Sequence, residues 1–321
     1  MISAIIPVYN GERYIKSLVN DLEHQTCKDF EAIFINDGSQ DNSLDMLKEI
    51  PKNASFKMKL ITQSNKGVSA ARNAGLDVAA GELITFIDVD DNISVNLFEY
   101  AYKAASRCDA DLYVFKSTDN PKNLSGSLGS IKSYTSLLSL KMYLFHKIQP
   151  SVWGIFVKRQ LLKRARLGFA EGYKYCEDLH MVWRIMAYAK RVASVDAAIY
   201  IYNSNEGSAM RHFTEDRFHA VLLMQDLEDF FQKQAPEFYP LYKRYAVARV
   251  YWALLWQSAY YYSWEEFHVY YKEKGFKKQL EKLLTFREMK VAISSFACLL
   301  SPKLFYYAAR KYAERRLKPH R

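Results

Sequence analysis

The sequence predicts an α/β protein: a mostly parallel central sheet flanked by helices, followed by a mainly α-helical C-terminal region. Three observations predict it. Strand-like runs alternate with helix-spaced apolar residues through residues 1–116, a spacing that implies parallel strands covered on both faces. The unusual polar clusters fall at the carboxyl ends of those strands, where such sheets bind ligands. From Thr214 onward the apolar residues keep helical spacing, as in Phe218, Leu222 and Met224 to Leu227.

In chain order, Ser3 to Val8 reads as a strand, and Tyr14, Ile15, Leu18, Val19 and Leu22 as one helical face. Phe30 to Ile35 is a second strand, ended by Asn36, Asp37, Gly38 and Ser39. A helix over 42–50, a strand from Lys59 to Thr62 and an Ala-rich helix from Ser69 to Ala80 follow. Leu83 to Ile87 is a strand running into aspartates, succeeded by a helix over 95–106 and a strand from Leu112 to Phe115. Residues 117–150, with Pro121, Gly126, Gly129, Pro150 and many serines, read as a loop-rich connection, and 151–202 as mixed structure.

The 321 residues carry 45 Lys plus Arg against 35 Asp plus Glu, and half are hydrophobic, which excludes a disordered or low-complexity chain. Charge is unevenly spread. Residues 1–120 hold 12 basic and 18 acidic residues, 121–210 hold 13 and 5, and 211–321 hold 20 and 12. A basic, aromatic second half fits nucleic acid, an anionic membrane or phosphorylated ligands. The first apolar run, Ile2 to Val8, is too short for a secretory signal, so the expected location is cytoplasmic. The longest uncharged stretch, Val250 to Trp264, falls short of the ~20 apolar residues of a helical span. Cys27, Cys108, Cys176 and Cys298 are scattered and read as reduced thiols.

Several motifs are missing. A single glycine, Gly11, follows the first strand, so there is no dinucleotide fingerprint, and neither a P-loop nor a His-Glu-x-x-His segment occurs. Three clusters are present: Pro7 to Glu12, Asn36 to Asp41, and Asp88-Val89-Asp90-Asp91-Asn92. The first two also fit tight turns. The third crowds three carboxylates into four residues, the hard oxygen donors that Mn²⁺ or Mg²⁺ takes when it also holds phosphates.

With the Asn65-Lys66-Gly67-Val68-Ser69-Ala70-Ala71-Arg72-Asn73 block added, four motifs in order resemble a family-2 glycosyltransferase of the GT-A fold, of the type found in bacterial capsule and lipopolysaccharide assembly. The resemblance implies a domain over 1–212, with a nucleotide-sugar half (1–116) and an acceptor half (117–212); residues 213–321 lie outside it and read, from composition, as a basic helical region. It implies that Pro7, Tyr9 and Glu12 line the nucleotide pocket, that Asp37 bonds the base, usually uracil, and that Lys66 and Arg72 lie beside the nucleotide. Asp88 and Asp90 become the metal-binding Asp-x-Asp pair, with Asp91 a further donor contact. Val152-Trp153 resembles the acceptor-side tryptophan segment, although Gly154 and Ile155 stand where that segment often has a lysine. Glu177-Asp178 resembles the Glu-Asp signature, making Asp178 the general base with Glu177 on the acceptor side; alone, these two read as acidic first-turn residues of a helix. Arg211 or His212 is expected at the diphosphate.

The partners implied are a UDP-type sugar donor and a glycan or lipid-linked glycan acceptor, without nucleic acid. In the tail, Ser301 and Pro302 start a helix with Leu304, Phe305, Ala308 and Tyr312 on one side and Lys303, Arg310, Lys311 and Lys318 on the other, a pattern suited to an anionic membrane. Two rivals stand beside this reading. A sugar-1-phosphate nucleotidyltransferase would release pyrophosphate. A non-catalytic sugar- or nucleic-acid-binding protein would show steeply salt-dependent binding.

Overall fold

The computed structural model describes residues 1–50, 54–203 and 213–316. It divides into two compact units, Met1–Glu206 and Gly207–Arg321. In the first, strands β1 (Ile2–Val8), β2 (Phe30–Asp37), β3 (Lys57–Gln63) and β4 (Leu83–Phe86) alternate with helices α1 (Glu12–Glu23), α2 (Ser43–Glu49) and α3 (Val68–Val78). These four strands are parallel, in the order β3-β2-β1-β4, with Ile5 of β1 in register with Ile33 on one side and Phe86 on the other. Every residue of β1 and β2 is buried, because helices cover both faces.

Beyond β4 the strand directions mix. After the short β5 (Asn92–Ile93) and α4 (Leu97–Arg107) come β6 (Leu112–Thr118), β7 (Ile131–Thr135), α5 (Ser136–Leu144), β8 (Ile155–Lys158), α6 (Arg159–Arg164), α7 (Glu177–Tyr188) and β9 (Arg191–Ile201). β8 inserts antiparallel between β4 and β6, β9 runs parallel to β6, and β5 and β7 pair antiparallel with β9. The expected parallel sheet therefore holds for β1 to β4, and the whole sheet is mixed. The expected loop over 117–150 is corrected as well, since it contains β7 and α5. Ile131–Thr135 is largely exposed and short, and Thr135 then caps α5 by accepting from the Leu138 N–H, so a serine-rich stretch conceals both elements.

The second unit is helical: α8 (His219–Gln234), α9 (Tyr239–Tyr261), α10 (Trp264–Glu273), α11 (Phe276–Leu283), α12 (Met289–Leu300) and α13 (Pro302–Arg316). α9 is its axis, packed by α8, α10, α11 and α13. Its Tyr251 and Trp252 are buried, and Trp256 stacks edge-on against Phe305, so most of the aromatics in this region form the core. No described helix is long and apolar enough to cross a membrane. The expected division of α13 is corrected: Phe305, Tyr306 and Ala309 are buried, whereas Leu304, Ala308 and Tyr312 are exposed.

Candidate donor-binding cleft

A cavity of about 430 Å³ opens at the carboxyl ends of β1, β2 and β4, lined by Pro7, Tyr9, Asp37, Gly67, Arg72, Asp88, Asp90 and neighbouring residues. Three of its walls are built by turns that the motifs encode. Asp37, at the end of β2, is buried and accepts from Gln63 Nε2 (2.7 Å), the Lys66 N–H (2.9 Å) and the Gly67 N–H (2.8 Å), which ties the loop ahead of α3 to the sheet. The following Gly38 has φ +70°, and a Cβ there would sit 2.6 Å from the Asn65 backbone nitrogen, so both the conformation and the close approach require glycine. Lys66 contributes its backbone to this knot, and its side chain is exposed between the lining residues Asn65 and Gly67.

Arg72 projects from α3 and is only 4% exposed. Its Nη2 donates to Asp88 Oδ1 at 2.9 Å and its Nη1 to Glu177 Oε1 at 3.2 Å, with the Phe169 ring 5.2 Å away. Asn73, one residue on, holds the Phe169 backbone from both sides (2.7 and 3.0 Å), so the same turn of α3 places the cation and the ring beneath it. One guanidinium thereby joins the acidic run after β4 to the first residue of α7, 89 positions further along the chain.

Asp178, next to Glu177, accepts from the Leu179 N–H at 2.7 Å. Burial, reinforced by Asp88 and opposed by Arg72, pushes its carboxyl above the usual aspartate range; Glu177 is raised by burial and by Asp178. Cys176 before them sits at φ +66°, a conformation that costs a non-glycine residue energy at the start of this helix.

Asp91 and Glu12 are held by partners within the fold. Asp91 turns inward: buried, it accepts from Tyr200 Oη and from the Asn203 N–H, both at 2.8 Å, and burial together with Asp88 and Asp90 raises its carboxyl to about 7. Tyr200 Oη in turn accepts from the Asp88 N–H (3.1 Å), so Asp91 fastens the acidic turn to β9. Glu12 accepts from the Asn42 N–H at 3.0 Å while its own N–H donates to Asp41, a reciprocal tie between the starts of α1 and α2, outside the cavity lining. Trp153, in a short 3₁₀ turn, stacks on Tyr202 with centroids 5.7 Å apart and lies 6.2 Å from Tyr200. Arg211 and His212 lie outside the described residues. Tyr200 lies in the Tyr200-Ile201-Tyr202 segment that by resemblance is expected near the donor, whereas sequence reasoning missed Asn203 and Phe169, for no local pattern marks a residue whose partner is about a hundred positions away.

Of the acidic run, Asp88 and Asp90 line the cleft. Among the described residues no three His, Cys, Asp or Glu side chains are arranged to hold a metal by themselves. Two carboxylates fit a Mn²⁺ or Mg²⁺ ion whose remaining ligands are phosphate oxygens and water.

Residues 3–158 match the sequence profile of glycosyl transferase family 2. These residues are a glycosyl transferase family 2 domain. The uncharacterized glycosyltransferase EpsJ of Bacillus subtilis is 30% identical over 216 residues, 65% of this chain and 62% of EpsJ, so the chain spans under two-thirds of that relative. Among solved structures, TarS 1–349 of S. aureus in complex with UDP-GlcNAc superposes with a TM-score of 0.69 at 20% identity, covering all of this chain and 93% of that one. The mannosyltransferase PcManGT of Pyrobaculum calidifontis, in complex with GDP-Man and Mn²⁺, gives 0.58 at 16% identity over 94% and 87%. The family-2 domain therefore carries the GT-A fold.

Proposed function

We propose that this chain is a metal-dependent inverting glycosyltransferase that moves a sugar from UDP to a hydroxyl of a glycan or lipid-linked glycan. The observation that carries the reading is the Arg72 bridge, which joins Asp88, in the cleft lined by Pro7, Tyr9 and Asp37, to Glu177, the neighbour in sequence of the base candidate Asp178. The cofactor is Mn²⁺ or Mg²⁺ held by Asp88 and Asp90; when bound, it supplies Lewis-acid neutralisation of the leaving diphosphate. Asp37 orders the base-binding loop. Asp178 takes the acceptor hydroxyl proton as the oxygen attacks the anomeric carbon opposite the diphosphate, and its raised affinity for protons suits that task. Trp153 and Glu177 border the acceptor. The solved relatives holding UDP-GlcNAc and GDP-Man with Mn²⁺ support the nucleotide-sugar class. The basic α13 supports a peripheral position at the inner face of the cell membrane, where lipid-linked acceptors are presented.

A panel of sugar nucleotides incubated with Mn²⁺ tests this: UDP should be released from one donor and no pyrophosphate from any. Asp178→Asn should lower transfer by about 10²–10⁴ while leaving donor affinity unchanged. Normal transfer by that variant would remove Asp178 from the mechanism. Asp88→Asn and Asp90→Asn should each weaken Mn²⁺-dependent UDP binding in calorimetry.

A further inference from the structure

The outward face of α12 is more apolar than its inward one. Its buried side is Val291, Ser295 and Cys298, while Met289, Ile293, Phe296 and Leu300, spaced along one helical stripe, point outward. Met289 is 73% exposed and Leu300 71%. Past Ser301 the pattern resumes in α13 with Leu304, 72% exposed, and Tyr307. From Met289 to Ala313 the chain has four basic residues (Lys290, Lys303, Arg310 and Lys311) and no acidic one; Arg310 pairs with Glu314 just beyond, which leaves three exposed lysines. Contiguous apolar exposure of this kind marks an interaction surface.

We propose that this stripe lies in the headgroup region of an anionic bilayer, with α12 parallel to the surface and the lysines against lipid phosphates. Charge selects this occupant. Two copies meeting through the stripe would bring the same lysines together, whereas an anionic surface complements them. The inference deepens the peripheral placement proposed above and rests on it, but moves the contact from the basic side of α13 to the apolar face of α12.

Flotation of the full chain with vesicles tests it. The chain should float with phosphatidylglycerol–phosphatidylcholine vesicles and bind at least about tenfold more weakly to phosphatidylcholine alone. Ile293→Glu and Leu300→Glu, at exposed positions that leave the core intact, should each cost about tenfold or more in binding, whereas Leu222→Glu, an exposed leucine of α8, should change nothing. Failure of the unaltered chain to float would overturn both this inference and the peripheral placement. Normal flotation of the stripe variants, with loss in a Lys303→Glu, Lys311→Glu variant, would overturn the stripe alone. A dimer in sedimentation that Leu300→Glu dissociates would overturn it in favour of self-association.

Discussion

Arg72 is the residue on which the cleft turns. It is buried and serves two carboxylates on different elements, so removing its charge strands both. Arg72→Met should cost about 3–5 kcal/mol in denaturant unfolding, the range for breaking a buried ionic group on one side only. Arg72→Lys keeps the charge but lacks the planar fork that reaches Asp88 and Glu177 together, so it should recover only part of the stability. The raised proton affinity of Asp178 has a kinetic consequence. A base works only when deprotonated, so the acid limb of kcat/KM should lie above the 3.8 of an ordinary aspartate and shift in Arg72 variants. Because Glu177 titrates against Asp178, the limb belongs to the pair. At this scale Asp88 and Asp90 were legible as an acidic run ending a strand. The ties of Asp91 to Tyr200 and of Glu12 to Asn42 were not, because sequence gives the charge at a position but not the direction the side chain takes.

Among the elements, legibility follows burial. β1 and β2 are covered on both faces and leave unbroken apolar runs, so they read directly; β7 is largely exposed and leaves almost no pattern. The reversal of β8 was equally hidden, because strand direction is settled by pairing partners far along the chain. Helix placement is set by small residues. In α3, a Cβ on Gly75 would lie 2.5 Å from Ile5, so glycine lets the helix carrying Arg72 sit directly on the sheet. Gly38→Ala combines an unfavourable φ with a clash against the backbone of the Asn65 turn. It should cost about 1–3 kcal/mol in stability, and weaken UDP binding by disturbing the turn that Asp37 ties.

Over the whole molecule, two units with separate cores carry separate proposed tasks. Leu300→Glu should therefore leave UDP affinity unchanged in calorimetry, and Asp88→Asn should leave vesicle flotation unchanged. The charge asymmetry between the acidic first 120 residues and the basic remainder was plain in the sequence, whereas the surface that uses it was not. The stripe on α12 is visible only once the fold shows which side of the helix is covered. With Asp91 fastened to Tyr200 and Asn203, the acidic turn presents only two carboxylates outward, too few to saturate a divalent ion. Ion and nucleotide should then be mutual guests, each tightening the grip on the other by the same factor, and a chelator should expel both together.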